Sequence, residues 1–200
     1  MVGELEEWGA LRRRRDGRYV IGRQIWNLGL LAPVESGIAA VASPFLHDLY
    51  AATLATVHLA VRDGPQVLYL DRLNGRASVP VVSQVGSRLP MHATGVGKVM
   101  LAHAPAALSD AAIACAERIT PYTIINAELL RAQFAEIRRL GYATTSEEMS
   151  LGACSIAVPV RCGTEVVASI GVVVPSLKRD RGRLVTALAV AAQGIGRSLT

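Results

Sequence analysis

The chain has 200 residues, a net charge of +5 and 51% apolar residues, but only 4% aromatic ones. It is therefore long enough to bury a core, and Ala, Val, Ile and Leu must build it. No apolar run reaches the ~18 residues of a membrane span and the N-terminus is acidic, which argues against a membrane helix or a secretory signal and predicts a cytoplasmic protein. Cys115, Cys154 and Cys162 are odd in number and lack CxxC spacing, so neither a disulfide framework nor a zinc ribbon is indicated.

Charge is concentrated near the start. Between residues 11 and 30 six arginines face one aspartate, so this segment carries as much positive charge as the whole chain. Within GALRRRRDGRYVIG, two extended segments flank Asp16-Gly17, a pair favoured in tight hairpin turns. Arg12, Arg13, Arg14, Arg15 and Arg18 then form the basic rim of a hairpin. Such a rim fits a polyanion such as nucleic acid, or simply a solvated edge. Residues 1–8 leave room for about two helical turns ahead of it.

RQIWNLGLLA reads as a short helix, and Pro33 permits a fresh start. Residues 34–54 place Ile38, Val41, Phe45, Leu46 and Leu49 at helical spacing, with Pro44 expected to kink or split the helix. Strand patterns follow at Thr56–Val61, at Gln66–Leu73 beyond Asp63-Gly64-Pro65, and at Ala77–Val82 beyond Asn74-Gly75, which together predict an antiparallel meander.

The stretch LPMHATGVGKVMLA, residues 89–102, runs through a glycine-rich turn into a helix. It is not a Walker loop, because His92 occupies the first glycine position and Val99 replaces the Ser or Thr that binds magnesium. It is not a dinucleotide fingerprint either, since Met100 stands where the third glycine belongs. Thr94 can cap the helix, while Gly95 and Gly97 allow close approach to its first turn. These residues fit an ordinary capped start or a site for a carboxylate-like anion.

Helices are expected near 94–103 and 106–118, and over Ala127–Leu140, where Leu130, Phe134 and Ile137 share a face and Gly141 is the stop. Strands are expected at Tyr142–Glu148, Cys154–Arg161 and Glu165–Val174. The closing helix, Asp180 to Leu199, carries Leu184, Leu188, Ala191, Ile195 and Leu199 on one stripe. About six strands flanked by helices in mixed local order make an α+β domain.

LPMHATGVGKVMLA, ITPYTI, IRRLGYATTSEE, SLGACSIAVPV and VVASIGVVVP, taken in order, resemble the effector-binding domain of IclR-type transcriptional regulators. GALRRRRDGRYVIGRQIWNLG resembles the wing and linker that join that domain to a winged helix-turn-helix. The resemblance implies a GAF-like, profilin-like domain with a six-stranded antiparallel sheet over residues 34–200. A linker helix at 24–33 and a wing hairpin at 1–23 precede it, with the DNA-reading helices largely outside the chain.

The same resemblance implies a homodimer or tetramer that binds promoter DNA and a small organic acid or aromatic metabolite. Thr94, Gly95 and Val96 fall on one wall of the implied pocket. Positions that hold small oxo-acids in relatives fall on Thr145, Ser155, Gly171 and Val173, a less polar set that favours a bulkier ligand such as an aromatic acid. The alternative is a stand-alone ligand-binding module, a sink or antagonist subunit without specific DNA binding.

No catalytic residue, cofactor or metal is expected. Cys154 and His92 have the chemistry of a nucleophile and base, but no oxyanion hole or orienting carboxylate accompanies them. His47, His58, His92 and His103 lack the i, i+4 pairing of helical zinc sites and read as packed or exposed. Glu147-Glu148 reads as a solvated strand edge.

Overall fold

A computed structural model describes residues 1–30, 35–75, 79 and 81–199. The chain divides into two compact units, Met1–Ala40 and Val41–Thr200.

In the first unit, helix α1 (Val2–Glu7) leads into strands β1 (Leu11–Arg13) and β2 (Tyr19–Ile21), which pair antiparallel with Arg12 opposite Val20. The turn between them is closed by Arg14 N–H donating to the Arg18 carbonyl at 2.8 Å, and Asp16 Oδ1 accepts from Arg18 N–H at 3.1 Å. Gly17 sits there at φ +82°, a conformation that favours glycine. Arg12, Arg13, Arg14, Arg15 and Arg18 are all exposed. Helix α2 (Arg23–Leu30) follows.

Helix α3 (Glu35–Thr53) is continuous, with Pro44 inside it, so the expected split does not occur. It buries Ala42, Leu46 and Leu49 and half-buries Ile38, Val41 and Phe45. The second unit is built on strands β3 (Thr56–Asp63), β4 (Gln66–Leu73), β5 (Arg88–Pro90), β6 (Ala143–Ser146), β7 (Cys154–Cys162) and β8 (Glu165–Val174). They form one antiparallel sheet in the order β5-β4-β3-β8-β7-β6. The architecture is α+β.

The third strand differs from expectation. Residues 77, 78 and 80 of the expected Ala77–Val82 strand lie outside the described residues, and residues 81 and 82 are not in a strand. The edge beside β4 is instead occupied by Arg88–Pro90, with Val67 opposite Leu89. Pro90 is tolerated there because it lies at the sheet edge, where a missing N–H donor costs little. The ion pair from Arg88 Nε to Asp63 Oδ2, 2.6 Å, ties this edge back to the end of β3.

Helices α4 (Gly95–His103), α5 (Ala106–Ala114) and α6 (Ala127–Leu140) cover one face of the sheet. Val96, Val99, Leu130, Phe134 and Ile137 pack there with Ala60, Val67 and Ala157. Each fully buried aliphatic or aromatic side chain of this kind contributes roughly 1.5–3 kcal/mol. The ends of α6 are set by sequence: Asn126 Oδ1 accepts from Leu129 N–H at 2.9 Å, and Gly141 ends the helix at φ +80°. Helix α7 (Arg181–Ser198) packs on β7 and β8 from the other side, with Val158 beside Ala189 and Ala192. Its buried stripe is Leu184, Leu188, Ala191, Ala192 and Ile195, while Leu199 is only half-buried.

Candidate functional site

The start of α4 is shaped by three residues. Thr94 has extended backbone angles, its Oγ1 accepts from Gly97 N–H at 3.2 Å, and the same hydroxyl donates to the Pro90 carbonyl at 3.1 Å. Gly97 has no alternative, because a Cβ there would lie 2.4 Å from backbone atoms of Met91. The first regular helical bond runs from Lys98 N–H to the Thr94 carbonyl, so the N–H groups of Gly95 and Val96 remain without a partner among the described residues.

The sheet supplies the opposite wall. Thr145, Ser155 and Val173 form one cross-strand row, and Ala157, Gly171 and His58 form the next. Thr145 Oγ1 and Ser155 Oγ are hydrogen-bonded at 2.6 Å. A Cβ on Gly95 would lie 2.5 Å from Ser155 Oγ, and one on Gly171 would lie 3.3 Å from a Val96 methyl, so both glycines allow α4 to approach the strands closely.

Between helix start and sheet lies a small, partly open cavity of about 50 Å³. Thr94, Gly95, Val96, Thr145, Ser155, Gly171 and Val173 all line it. Cys154 and His92 do not. His92 Nε2 is hydrogen-bonded to the Glu117 carbonyl at 2.9 Å, and Cys154 Sγ lies 3.6 Å from Ser146 Oγ.

Sequence reasoning missed two parts of this region. The first is a polar end of the cavity formed by His58, Tyr69 and Ser83. His58 is 4% exposed and its Nε2 is 2.9 Å from Ser83 Oγ. Burial, and then the charge of Arg72, lowers the imidazole pKa to about 3, so the ring is neutral at ordinary pH. Burial pushes the Tyr69 phenol up, and its contact with the Thr94 side chain opposes the shift. The cavity thus has more polar groups than the four positions carried over from relatives. The signal in the sequence was a histidine among the apolar residues Val57, Leu59, Ala60 and Val61 of β3.

The second is a buried ion pair behind the cavity. Lys98 Nζ donates to both Glu148 oxygens at 2.6 and 2.7 Å and to Gln133 Oε1 at 2.8 Å, with the lysine side chain fully buried. Burial lowers the ammonium pKa from its ordinary value, while the Glu148 carboxylate opposes that shift.

Glu148 is therefore not on a solvated edge. β6 stops at Ser146, Glu147 turns the chain at φ +57°, and Glu148 is swung inward. Its carbonyl accepts from Thr123 Oγ1 at 2.7 Å and its carboxylate from Ile124 N–H at 3.3 Å. Met149, Ser150 and Ala153, next along this turn, line the cavity. A lone lysine in the apolar run VGKVMLA was the signal that could have revealed the pair.

A helix start with free N–H groups facing hydroxyls and aliphatic strand residues across a partly open cavity is the arrangement of a small-molecule-sensing α+β domain. The family model described as "Bacterial transcriptional regulator IclR C-terminal" matches residues 32–197, and the chain belongs to the IclR family of transcriptional regulators.

The HTH-type transcriptional regulator XynR of Escherichia coli (strain K12) is 33% identical to it over 147 residues, 72% of this chain and 58% of XynR. The HTH-type transcriptional repressor AllR of Klebsiella pneumoniae is 31% identical over 173 residues, 85% of this chain and 64% of AllR. The chain thus spans about three-fifths of the length of these two relatives. An IclR homologue from Microbacterium hydrocarbonoxydans, crystallised in complex with 4-hydroxybenzoate, superposes with a TM-score of 0.93 at 31% identity, covering 99% of this chain and 82% of that one. The Thermotoga maritima IclR gives 0.85 at 30% identity, with 99% and 83% covered.

Proposed function

We propose that this chain is the ligand-sensing and dimerising part of a transcriptional regulator, and that a small organic or aromatic acid binds in the cavity between α4 and the sheet. The observation that carries this reading is the convergence on one cavity of the free Gly95 and Val96 N–H groups with the Thr145 and Ser155 hydroxyls. Helix N–H groups and hydroxyls hold a carboxylate, and Val96, Val173 and the other aliphatic lining residues hold the body. The complex of the Microbacterium relative with 4-hydroxybenzoate supports an acid of this size.

The exposed arginines of the β1–β2 hairpin, Arg12 to Arg15 and Arg18, contact DNA phosphates in this reading. The acid shifts the balance between conformations of a dimer and so changes how paired DNA-binding units are presented. No metal, cofactor or catalytic group takes part.

A thermal-shift screen with aliphatic and aromatic carboxylic acids tests the reading. An acid at 100 times its Kd stabilises by about 2.7 kcal/mol, a rise in Tm of roughly 5–11 °C for a chain of this size. A panel in which no acid moves Tm contradicts it. Sedimentation of the free protein tests the assembly, for which a dimer or larger species is expected and a monomer at micromolar concentration is the contrary result.

A further inference from the structure

Helix α4 begins at the cavity with Gly95 and ends, with His103, beside a second polar feature. An open recess of about 440 Å³ lies there, with Arg62, His103, Arg161 and Glu165 among its lining residues. Its basic side chains come from separate elements. Arg62 stands on β3 and Arg161 on β7, with β8 between them, so their backbones are two strand spacings, about 10 Å, apart. The third group is the His103 imidazole, with both ring nitrogens 3.4 Å from Arg161 Nη2.

These charges are uncompensated. Among the described residues no carboxylate forms an ion pair with Arg62, Arg161 or the neighbouring Arg138 of α6. Arg138 has a structural use, since its Nη1 donates to the Ala102 carbonyl at 2.8 Å near the end of α4. Arg161 donates Nη1 to the Thr164 carbonyl at 3.1 Å, which fixes the guanidinium at the rim and leaves its charge unpaired. The exposed side chain of Arg62 has no partner among the described residues. Glu165 on β8 lines the same recess and also forms no ion pair. Burial, and then the charges of Arg161 and Arg138, hold the His103 imidazole below its ordinary pKa. An anion placed between the two guanidinium groups and the ring would be stabilised from three sides.

We propose that this recess binds one dianionic oxyanion group, the phosphate of a small phosphate monoester or a sulfate, between Arg62, Arg161 and His103. A tetrahedral oxyanion presents enough acceptor oxygens for both guanidinium forks and the ring N–H, whereas a carboxylate has only two to share among them. Met100, Pro105, Val166 and Val167 give the carbon body of an ester an apolar surface to rest on. Glu165 repels a second phosphate, which favours a single small ester over a nucleic-acid strand. The site lies at the other end of α4 from the acid cavity, and neither reading depends on the other.

The ring resonances of His103, followed by NMR in the full chain as sulfate replaces chloride at constant ionic strength, test the site. Sulfate suits the purpose because it stays dianionic while the ring titrates. His47, on α3, is the reference. Saturating sulfate is expected to raise the proton affinity of His103 about tenfold and that of His47 less than twofold. Arg62→Gln and Arg161→Gln, both at exposed positions, should each weaken sulfate binding about fivefold. Glycerol 2-phosphate should displace sulfate at a lower concentration than sulfate itself requires. A His103 response no larger than that of His47, or unchanged sulfate affinity in either folded variant, overturns the proposal. So does a DNA duplex that displaces sulfate at a lower phosphate concentration than the monoester, which would mark a nucleic-acid surface. Loss of self-association in Arg62→Gln would mark a contact with a second copy and overturn it too.

Discussion

Replacing Lys98 by Met is the most informative perturbation of the domain's interior. The substitution keeps an unbranched chain of similar length but leaves the Glu148 carboxylate, whose side chain is only 4% exposed, without its cation. Ile124 N–H remains as a donor at 3.3 Å, and Gln133 Oε1 is left without the ammonium it accepts from. Breaking one side of a buried ion pair costs about 3–5 kcal/mol, because the surviving charge stays desolvated. For a chain of this size each kcal/mol moves Tm by roughly 2–4 °C, so the expected fall is about 6–20 °C.

The double variant Lys98→Met with Glu148→Gln removes the stranded charge while keeping an acceptor for Ile124 N–H, and should recover half or more of the loss. Thermal and urea denaturation of wild type, both single variants and the double variant give the coupling directly. A Lys98→Met protein within 2 °C of wild type, or a double variant no more stable than that single one, refutes a desolvated pair tying α4 to the turn after β6.

Two further outcomes follow from charge. His58 takes up no proton in the folded state until about pH 3, whereas in the unfolded chain it titrates near its ordinary 6.5. Its contribution to stability is therefore complete above pH 6.5 and declines as pH falls toward 3, by at most about 3 kcal/mol at pH 4.5. His58→Asn should flatten the stability profile between those limits, and parallel profiles in urea would contradict the buried, neutral ring. Duplex DNA binding through the hairpin should weaken steeply with salt, and replacing Arg12 to Arg15 and Arg18 by Gln should reduce the log–log slope by about 0.9 for each phosphate no longer neutralised. An unchanged slope would remove the hairpin from the DNA interface.

The parts of the fold that were legible in the sequence are those set by local chemistry. Strands β4 and β8 lie at their expected positions because each is an extended apolar run bounded by a turn: Asp63-Gly64-Pro65 before β4, and Cys162-Gly163-Thr164 before β8. Helix α6 matches residue for residue because Asn126 starts it and Gly141 stops it. Of the strand expected at Ala77–Val82 after Asn74-Gly75, the described residues 79, 81 and 82 are not in a strand, and the edge beside β4 is filled by Arg88–Pro90, a three-residue strand with no alternating pattern.

The start of α4 was legible as a capped turn, and Thr94 does accept from Gly97 N–H. The His58–Ser83 and Lys98–Glu148 pairs join residues 25 and 50 positions apart, and only the completed sheet brings them together. Glu148 in particular was misread because the turn at Glu147, with its positive φ, reverses which way the next side chain faces.

The central claim is that an acid binds against the first turn of α4, and Gly95→Leu tests it most directly. A side chain there begins 2.5 Å from Ser155 Oγ and projects into the space that the ligand would use. Gly95 is the first residue of a right-handed helix, which a leucine backbone can adopt. Calorimetric titration of an acid that stabilises the wild-type protein should show affinity reduced by more than about 30-fold in Gly95→Leu, or roughly 2 kcal/mol. Because a Cβ at this position requires Ser155 to shift, circular dichroism and sedimentation must show the variant folded and assembled before its affinity is read. Wild-type affinity in that folded variant would place the effector elsewhere and contradict the account.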